Sequence, residues 1–194
     1  ISETSLKSAS SIGLSSIMSE INPCIFLIIW ITWSLVKDAT VVKSGTLDLN
    51  VEPGKATTVT DLGIKDANNM GAAMAPAAVD TLINHFMDFN TSPSDYDLIA
   101  TGDLGKLGHS IVVDLMEKNG IKMKNYNDCG MMLYDLEKQD VHAGGSGCGC
   151  SAAVLCAHVL PEMKKGRMKK VLFIGTGALM SPVSIQQGES IPGI

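Results

Sequence analysis

A chain of 194 residues with 45% hydrophobic and 18% charged side chains has enough apolar surface for a buried core and is typical of globular proteins. A net charge of −5 and a pI near 5.3 argue against nucleic acid as the main partner, because the longest basic stretch is the interrupted one from Lys164 to Lys170. The five cysteines form no regular disulfide pattern, which favours free thiols in a reducing compartment.

The first 56 residues lack the regular pattern of the rest. The run from Cys24 to Trp33 is apolar except for Thr32, but it is shorter than the roughly 20 residues that cross a bilayer. It also lacks the basic start and the cleavage site of a signal peptide. A buried strand, a contact with a membrane surface and a misread reading frame all remain compatible with it. We therefore separate a segment that is either atypical or non-native, 1–56, from a truncated domain, 57–194.

From about Thr57 onward, apolar runs alternate with amphipathic ones, as in an α/β protein. Val79, Leu82, Ile83 and Phe86 recur at helical spacing, which predicts a helix over 75–89 with Pro76 in its first turn. A capped turn over 91–95 follows, and the residues 97–101 (DLIAT) predict a short buried strand.

The same order of elements recurs towards the end of the chain. We predict a helix over 110–119 that is stopped by Gly120, a glycine-rich loop over 142–149, a helix over 151–165 that is closed by Gly166, and a strand over 170–176. Small residues at 152, 153 and 157 suit a helix that is buried on several sides, and such a helix needs more protein around it.

Four stretches carry a resemblance to a known family. They are DLGIKDANNMGAAMAPAAVDT (61–81), DYDLIATGDLGKLG (95–108), AGGSGCGCSAA (143–153) and GTGALMSP (175–182). Together and in this order they resemble the stage V sporulation protein AD family of spore-forming Firmicutes, over roughly 59–194. The family is similar in fold to thiolases and to β-ketoacyl-acyl-carrier-protein synthase III. The resemblance therefore implies a thiolase-like αβαβα layered sandwich, of which this chain holds the C-terminal half.

The resemblance also bears on catalysis. In the related enzymes the first half supplies a nucleophilic Cys, and the second supplies a His and an Asn that stabilise the oxyanion. Here Thr101 or a near neighbour stands where the His is expected, with His109 the nearest histidine, and Gly149 stands about where the Asn belongs. The loss of one oxyanion donor typically lowers the rate by ~10²–10³. We therefore expect no catalytic residues and no cofactor in this half.

What the resemblance implies instead is the binding of a small aromatic dicarboxylate, dipicolinic acid, during its uptake into the developing spore. The predicted ligand-binding residues are Asp103, Ser146, Cys148, Gly149 and Ser151. Backbone N–H groups at the start of the helix suit a carboxylate, whereas Asp103 would repel it unless a cation intervened. The implied partners are other subunits of a sporulation membrane complex, and a homodimer is also compatible. The implied location is the cytoplasm or the periphery of the forespore or spore inner membrane.

Other interpretations of the glycine-rich loop stay open. It lacks the Lys-Ser/Thr of a P-loop and the spacing of a dinucleotide fingerprint. A zinc site formed by Cys129, His142, Cys148 and Cys150 would need a wider spacing than C-x-C, so we predict no metal. Cys148 near a helix start could act as a nucleophile. The alternative function is an acyltransferase or 3-oxoacyl-synthase-like enzyme that uses a Cys from the missing N-terminal half.

Overall fold

The structure is a computed structural model that describes residues 38–44, 49–56 and 59–194. Side chains are described from Val59 onward, except that of Cys148. The apolar run from Cys24 to Trp33 lies outside these residues, and so do the interpretations that the sequence left open for it.

One mixed sheet forms the centre of the molecule. Its five strands follow the order β2-β1-β5-β3-β4. β1 is antiparallel to both β2 and β5, while β5, β3 and β4 run parallel. The strand bounds are Asp38–Ser44 for β1, Leu49–Ala56 for β2, Leu98–Thr101 for β3, Tyr126–Asp128 for β4 and Lys170–Ile174 for β5.

The described helices connect and cover these strands. They are α1 (Met70–Asp88), α2 (Gly105–Lys118), α3 (Cys129–Met132), α4 (Cys148–Val154), α5 (Leu160–Lys164) and α6 (Pro182–Gln186). A π-helical turn, Leu155–Val159, joins α4 to α5, so the backbone is helical without a break from Cys148 to Lys164. A 3₁₀ turn, Pro93–Asp95, carries the predicted cap, because Ser92 and Asp95 form a capping box.

The helices begin earlier than the sequence predicted. Pro76 was expected in the first turn of its helix, and this is wrong: α1 begins at Met70, and the side chain of Asn69 caps it by accepting from the Ala72 N–H. The second helix begins at Gly105 rather than at Ser110. Its predicted stop is confirmed, since Gly120 has a φ of +77°, a conformation that glycine adopts without strain.

Each face of the sheet is covered by its own group of helices. On one face, α1 and α2 pack against Ile99, Leu172 and Ile174. On the other face, the helix that begins at α4 packs against Leu98, Ala100, Val171 and Phe173, because successive strand residues point to opposite faces. The described residues therefore form three layers, α/β/α, which confirms the mixed α/β class. The five-layer thiolase-like sandwich stays a prediction.

Candidate functional site

The carboxyl ends of β3, β4 and β5 meet at one edge of the sheet, because these three strands run parallel. The chain leaves them through loops that carry Asp103 after β3 and Thr176 after β5, while Asp128 is the last residue of β4. The glycine-rich loop before α4 closes over the same edge. Ligands of open α/β sheets bind at this kind of edge, so we take it as the candidate site.

Asp103 joins the loops after β3 and β5 to the glycine-rich loop. Its Oδ2 accepts a hydrogen bond from the Gly147 N–H at 2.7 Å, and its Oδ1 accepts one from the Thr176 hydroxyl at 2.8 Å. The Asp103 N–H in turn donates to Thr176 Oγ1 at 3.0 Å. A carboxylate of the protein is therefore already bound to the loop in which the sequence predicted a bound carboxylate.

Asp128 is the second acid of the site, and it was not among the residues predicted from the sequence. It is completely buried, and its carboxylate accepts hydrogen bonds from the backbone N–H groups of Leu104, Gly105 and Gly130, each at 2.9 Å. The Thr101 hydroxyl donates to it as well, at 2.7 Å. These four donors compensate for the burial of the carboxylate. No pattern around Asp128 in the sequence pointed to this role.

The segments held by Asp128 also hold the glycine-rich loop. Gly145 donates its N–H to the Gly130 carbonyl at 2.7 Å, and the Lys106 N–H donates to the Ala143 carbonyl at 2.8 Å. The contact between the two backbones leaves no room for a side chain, since a Cβ at Gly144 would collide with the Gly130 carbonyl, and Gly144 has a φ of +109°. The sequence GGSGCG is thus explained here by close packing of the loop.

The loop leads into the helix that starts at Cys148. Ser146 and Gly149 are exposed at this start, whereas Ser151, one turn into the helix, is buried. The π turn over 155–159 has an identifiable cause, because Pro161 has no N–H to offer the Ala157 carbonyl four residues before it. Of the small residues predicted to be packed, Ala152 is buried, while Ala153 and Ala157 are exposed in this chain.

The described thiols near the site are not activated. Burial, together with the nearby Asp128 and Asp103, raises the pKa of Cys150 to about 11. Burial also raises the pKa of the Cys129 thiol far above its ordinary value, and the Asp128 charge adds to this effect. A nucleophilic cysteine needs the opposite shift, so both thiols stay protonated at neutral pH. The thiol of Cys148, for which the sequence left a nucleophilic role open, is not among the described side chains.

Thr101, which the resemblance puts at or near the position of the enzymes' His, is buried and hydrogen-bonded to both Asp128 and the Tyr126 hydroxyl. His109 lies on α2, where its ring stacks on that of Tyr126 with centroids 4.7 Å apart. Gly149, which the resemblance puts about where the Asn belongs, is exposed at the start of its helix.

Two further findings concern the part of the chain that the structure describes. No group of three or more His, Cys, Asp and Glu residues in it could hold a metal ion. None of its helices combines the length and apolar character needed to cross a bilayer. A surface groove of about 640 Å³ lies away from the glycine-rich loop, and it is lined by residues such as Asp61, Lys65, Leu179, Ser184 and Glu189. It includes none of the predicted site residues.

The fold and the site define an α/β protein with a candidate binding site at the carboxyl edge of a mixed sheet, closed by a glycine-rich loop. The family model described as stage V sporulation protein AD matches residues 35–194. Over 164 residues the chain is 45% identical to stage V sporulation protein AD of Bacillus subtilis (strain 168). The aligned region covers 80% of this chain and 48% of that protein. The chain therefore belongs to the stage V sporulation protein AD family, and it spans about half the length of this relative.

Proposed function

We propose that this chain is the ligand-binding half of a non-catalytic sporulation protein, and that the ligand is dipicolinic acid on its way into the developing spore. One observation carries the proposal: the edge that the glycine-rich loop closes binds a carboxylate, that of Asp103, through the Gly147 N–H. Such an edge suits holding a carboxylate better than transferring an acyl group.

The hydrogen bond from Gly147 to Asp103 supports a carboxylate ligand chemically. It demonstrates that an N–H group of this loop is directed towards a carboxylate oxygen with a short donor–acceptor distance of 2.7 Å. Cys148 and Gly149 follow directly, at the start of a helix whose first N–H groups have no partner within the helix. In the proposal, the ligand carboxylate binds these next N–H groups, beside the one that Asp103 occupies.

Asp103 sets a condition on this binding. A dianion beside a carboxylate is repelled, so the pocket favours a ligand whose aromatic ring separates its carboxylates, or one that arrives with a cation. The rest of the site would come from the half of the longer protein that this chain does not span. We also propose a location at the periphery of the forespore or spore inner membrane, because the chain belongs to a sporulation family.

The test is a pair of substitutions at Gly149 in the full-length protein, with binding measured by isothermal titration with dipicolinate. A Cβ at Gly149 has no heavy atom within 4 Å, so Gly149→Ala should fold and bind normally. Gly149→Asp should also fold, because an acidic residue in the first turn stabilises a helix, but its charge should abolish the binding of a dianion.

Equal affinity in Gly149→Asp and in Gly149→Ala would place the ligand elsewhere, and absence of binding in the unmodified protein would refute the proposal. Covalent acylation by an acyl-CoA, seen as a mass increase of the intact protein, would instead favour the acyltransferase-like alternative.

A further inference from the structure

The amino ends of β3, β4 and β5 lie at the edge of the sheet opposite to the candidate site. Three segments of the chain gather there, 87–97, 117–125 and 162–170, and we call this surface the basic pole. Hydrogen bonds hold the segments together. The Asp97 N–H donates to the Lys170 carbonyl at 2.8 Å, Asp97 Oδ2 accepts from the Lys169 N–H at 2.6 Å, and Asn125 Nδ2 donates to the Pro93 carbonyl at 2.8 Å.

The fold concentrates positive charge at this pole. It holds eight of the eleven Lys and Arg residues between positions 59 and 194, but only five of the fifteen Asp and Glu residues. The cations are Lys118, Lys122, Lys124, Lys164, Lys165, Arg167, Lys169 and Lys170, of which all but the last are exposed. The sequence showed only the stretch from Lys164 to Lys170. The fold adds the three lysines around the end of α2.

Some of this charge is compensated internally. Glu162 pairs with Lys165 at 3.2 Å and also with Arg167. Lys170 lies over the Tyr96 ring, with its Nζ 4.5 Å from the ring centroid. The charge of Lys169 also acts on the Asp97 carboxylate. Eight basic and five acidic residues still leave the pole with a net charge of +3, whereas the rest of 59–194 has ten acidic residues and three basic ones.

Two apolar side chains are exposed at the same pole. Met87 and Phe89, at the end of α1, are 72% and 48% exposed. Thr91 N–H donates to the Phe86 carbonyl at 3.0 Å, which keeps this end of α1 beside the 3₁₀ turn of the pole. Exposed Lys residues combined with an aromatic or aliphatic side chain are typical of surfaces that adsorb to anionic bilayers, since the cations attract the headgroups and the apolar groups enter the interface.

We propose that the basic pole is a docking surface for an anionic lipid bilayer, with Met87 and Phe89 entering the headgroup region. A bilayer suits the pole better than a nucleic acid does, because a phosphate backbone attracts the lysines but provides no apolar phase for a methionine. Docked in this way, the protein would direct the opposite edge of the sheet, with Asp103 and the glycine-rich loop, away from the membrane and towards the aqueous phase. The inference does not depend on the identity of the ligand.

The test is co-sedimentation of the full-length protein with phosphatidylcholine vesicles that do or do not contain phosphatidylserine. Lys164→Gln/Lys169→Gln removes two charges from the pole, and Lys65→Gln/Lys138→Gln is the matched control, which removes two from outside it. The first double variant should lower the partition coefficient on anionic vesicles by roughly tenfold or more, and the control should leave it nearly unchanged. Added salt should weaken binding of the unmodified protein.

Met87→Ser probes the apolar part, because its side chain is 72% exposed and its loss should not affect folding. It should weaken binding to anionic vesicles while leaving the steepness of the salt dependence as it was. Equal binding to neutral and anionic vesicles, an equal loss in both double variants, or a preference for a DNA duplex over the vesicles would overturn the proposal. Thermal melts of each variant verify that the fold is intact.

Discussion

The Gly147 N–H donates to the carboxylate of Asp103 across 44 positions of sequence, at a distance of 2.7 Å. This bond ties the loop after β3 to the start of the helix that follows the glycine-rich loop. It also places a fixed negative charge where the proposed ligand carries its own, so Asp103 both organises the site and opposes the binding of an anion.

Asp103→Asn separates these two effects. The amide oxygen can still accept a hydrogen bond from Gly147 or Thr176, while the charge is gone. We expect the dissociation constant for dipicolinate to fall about tenfold, which corresponds to roughly 1.4 kcal/mol. Isothermal titration measures it. Asp114→Asn, which removes an exposed charge from α2, is the control and should leave the affinity unchanged. Weaker binding in Asp103→Asn would mean that the carboxylate itself holds the ligand, for instance through a cation.

Asp128 should matter most for stability. Asp128→Ala leaves three buried backbone N–H groups and the Thr101 hydroxyl without their acceptor, and we expect the free energy of unfolding to fall by about 3–5 kcal/mol. Asp128→Asn keeps one acceptor oxygen and should lose less. Urea unfolding monitored by circular dichroism measures both. An unfolding midpoint of Asp128→Ala close to that of the unmodified protein would contradict this role.

The sequence predicted α1, α2, the long helix that begins at Cys148 and the strands β3 and β5, because the spacing of Val79, Leu82 and Phe86 and the short apolar runs around Ile99 and Leu172 reflect local periodicity. It did not predict the short helices α3 and α6. It missed β4, which is only three residues long and has the sequence YND, a pattern without an apolar run. It also missed β1 and β2. β2 pairs with β1, and the pairing of β1 with β5 is a long-range property that a local pattern does not reveal.

The candidate site was predictable only in part. Asp103 and the glycine-rich loop follow from the resemblance, but the hydrogen bond between them depends on how three strands align at one edge. The role of Asp128 was not predictable, because a buried acid is recognised by the donors around it and these come from residues 23 to 27 positions earlier as well as from Gly130. The basic pole was not predictable either, because only the fold brings the three lysines around the end of α2 close to the stretch from Lys164 to Lys170.

Gly71 on α1 lies directly against Gly108 on α2, and this contact predicts a steric effect. A Cβ at Gly71 would meet the Leu104 carbonyl and come within 3.1 Å of the Gly108 Cα. Alanine favours a helix by up to about 1 kcal/mol over glycine, but overpacking against backbone typically costs about 1–3 kcal/mol. We therefore expect Gly71→Ala to lower the free energy of unfolding, whereas Gly149→Ala, with open space around it, should raise it slightly. Urea midpoints that rank these two variants in the opposite order would disprove the tight contact.

His85 should make the fold sensitive to acid. It is buried on α1, its Nε2 lies 2.8 Å from the Tyr96 hydroxyl, and its Nδ1 has no hydrogen-bond partner among the described residues. Burial lowers the pKa of His85 below its ordinary value of 6.5, and the charge of Lys170 lowers it further. At pH values above 6.5 the imidazole is neutral in both the folded and the unfolded chain. As the pH falls below 6.5, the unfolded chain binds a proton that the folded chain resists, so the free energy of unfolding falls until the pKa of the folded state is reached.

Thermal melts between about pH 7.5 and about pH 5 should show a melting temperature that declines with pH. This decline should be reduced in His85→Gln and retained in the exposed-site control His158→Gln. Parallel declines in all three proteins would assign the acid sensitivity to other groups.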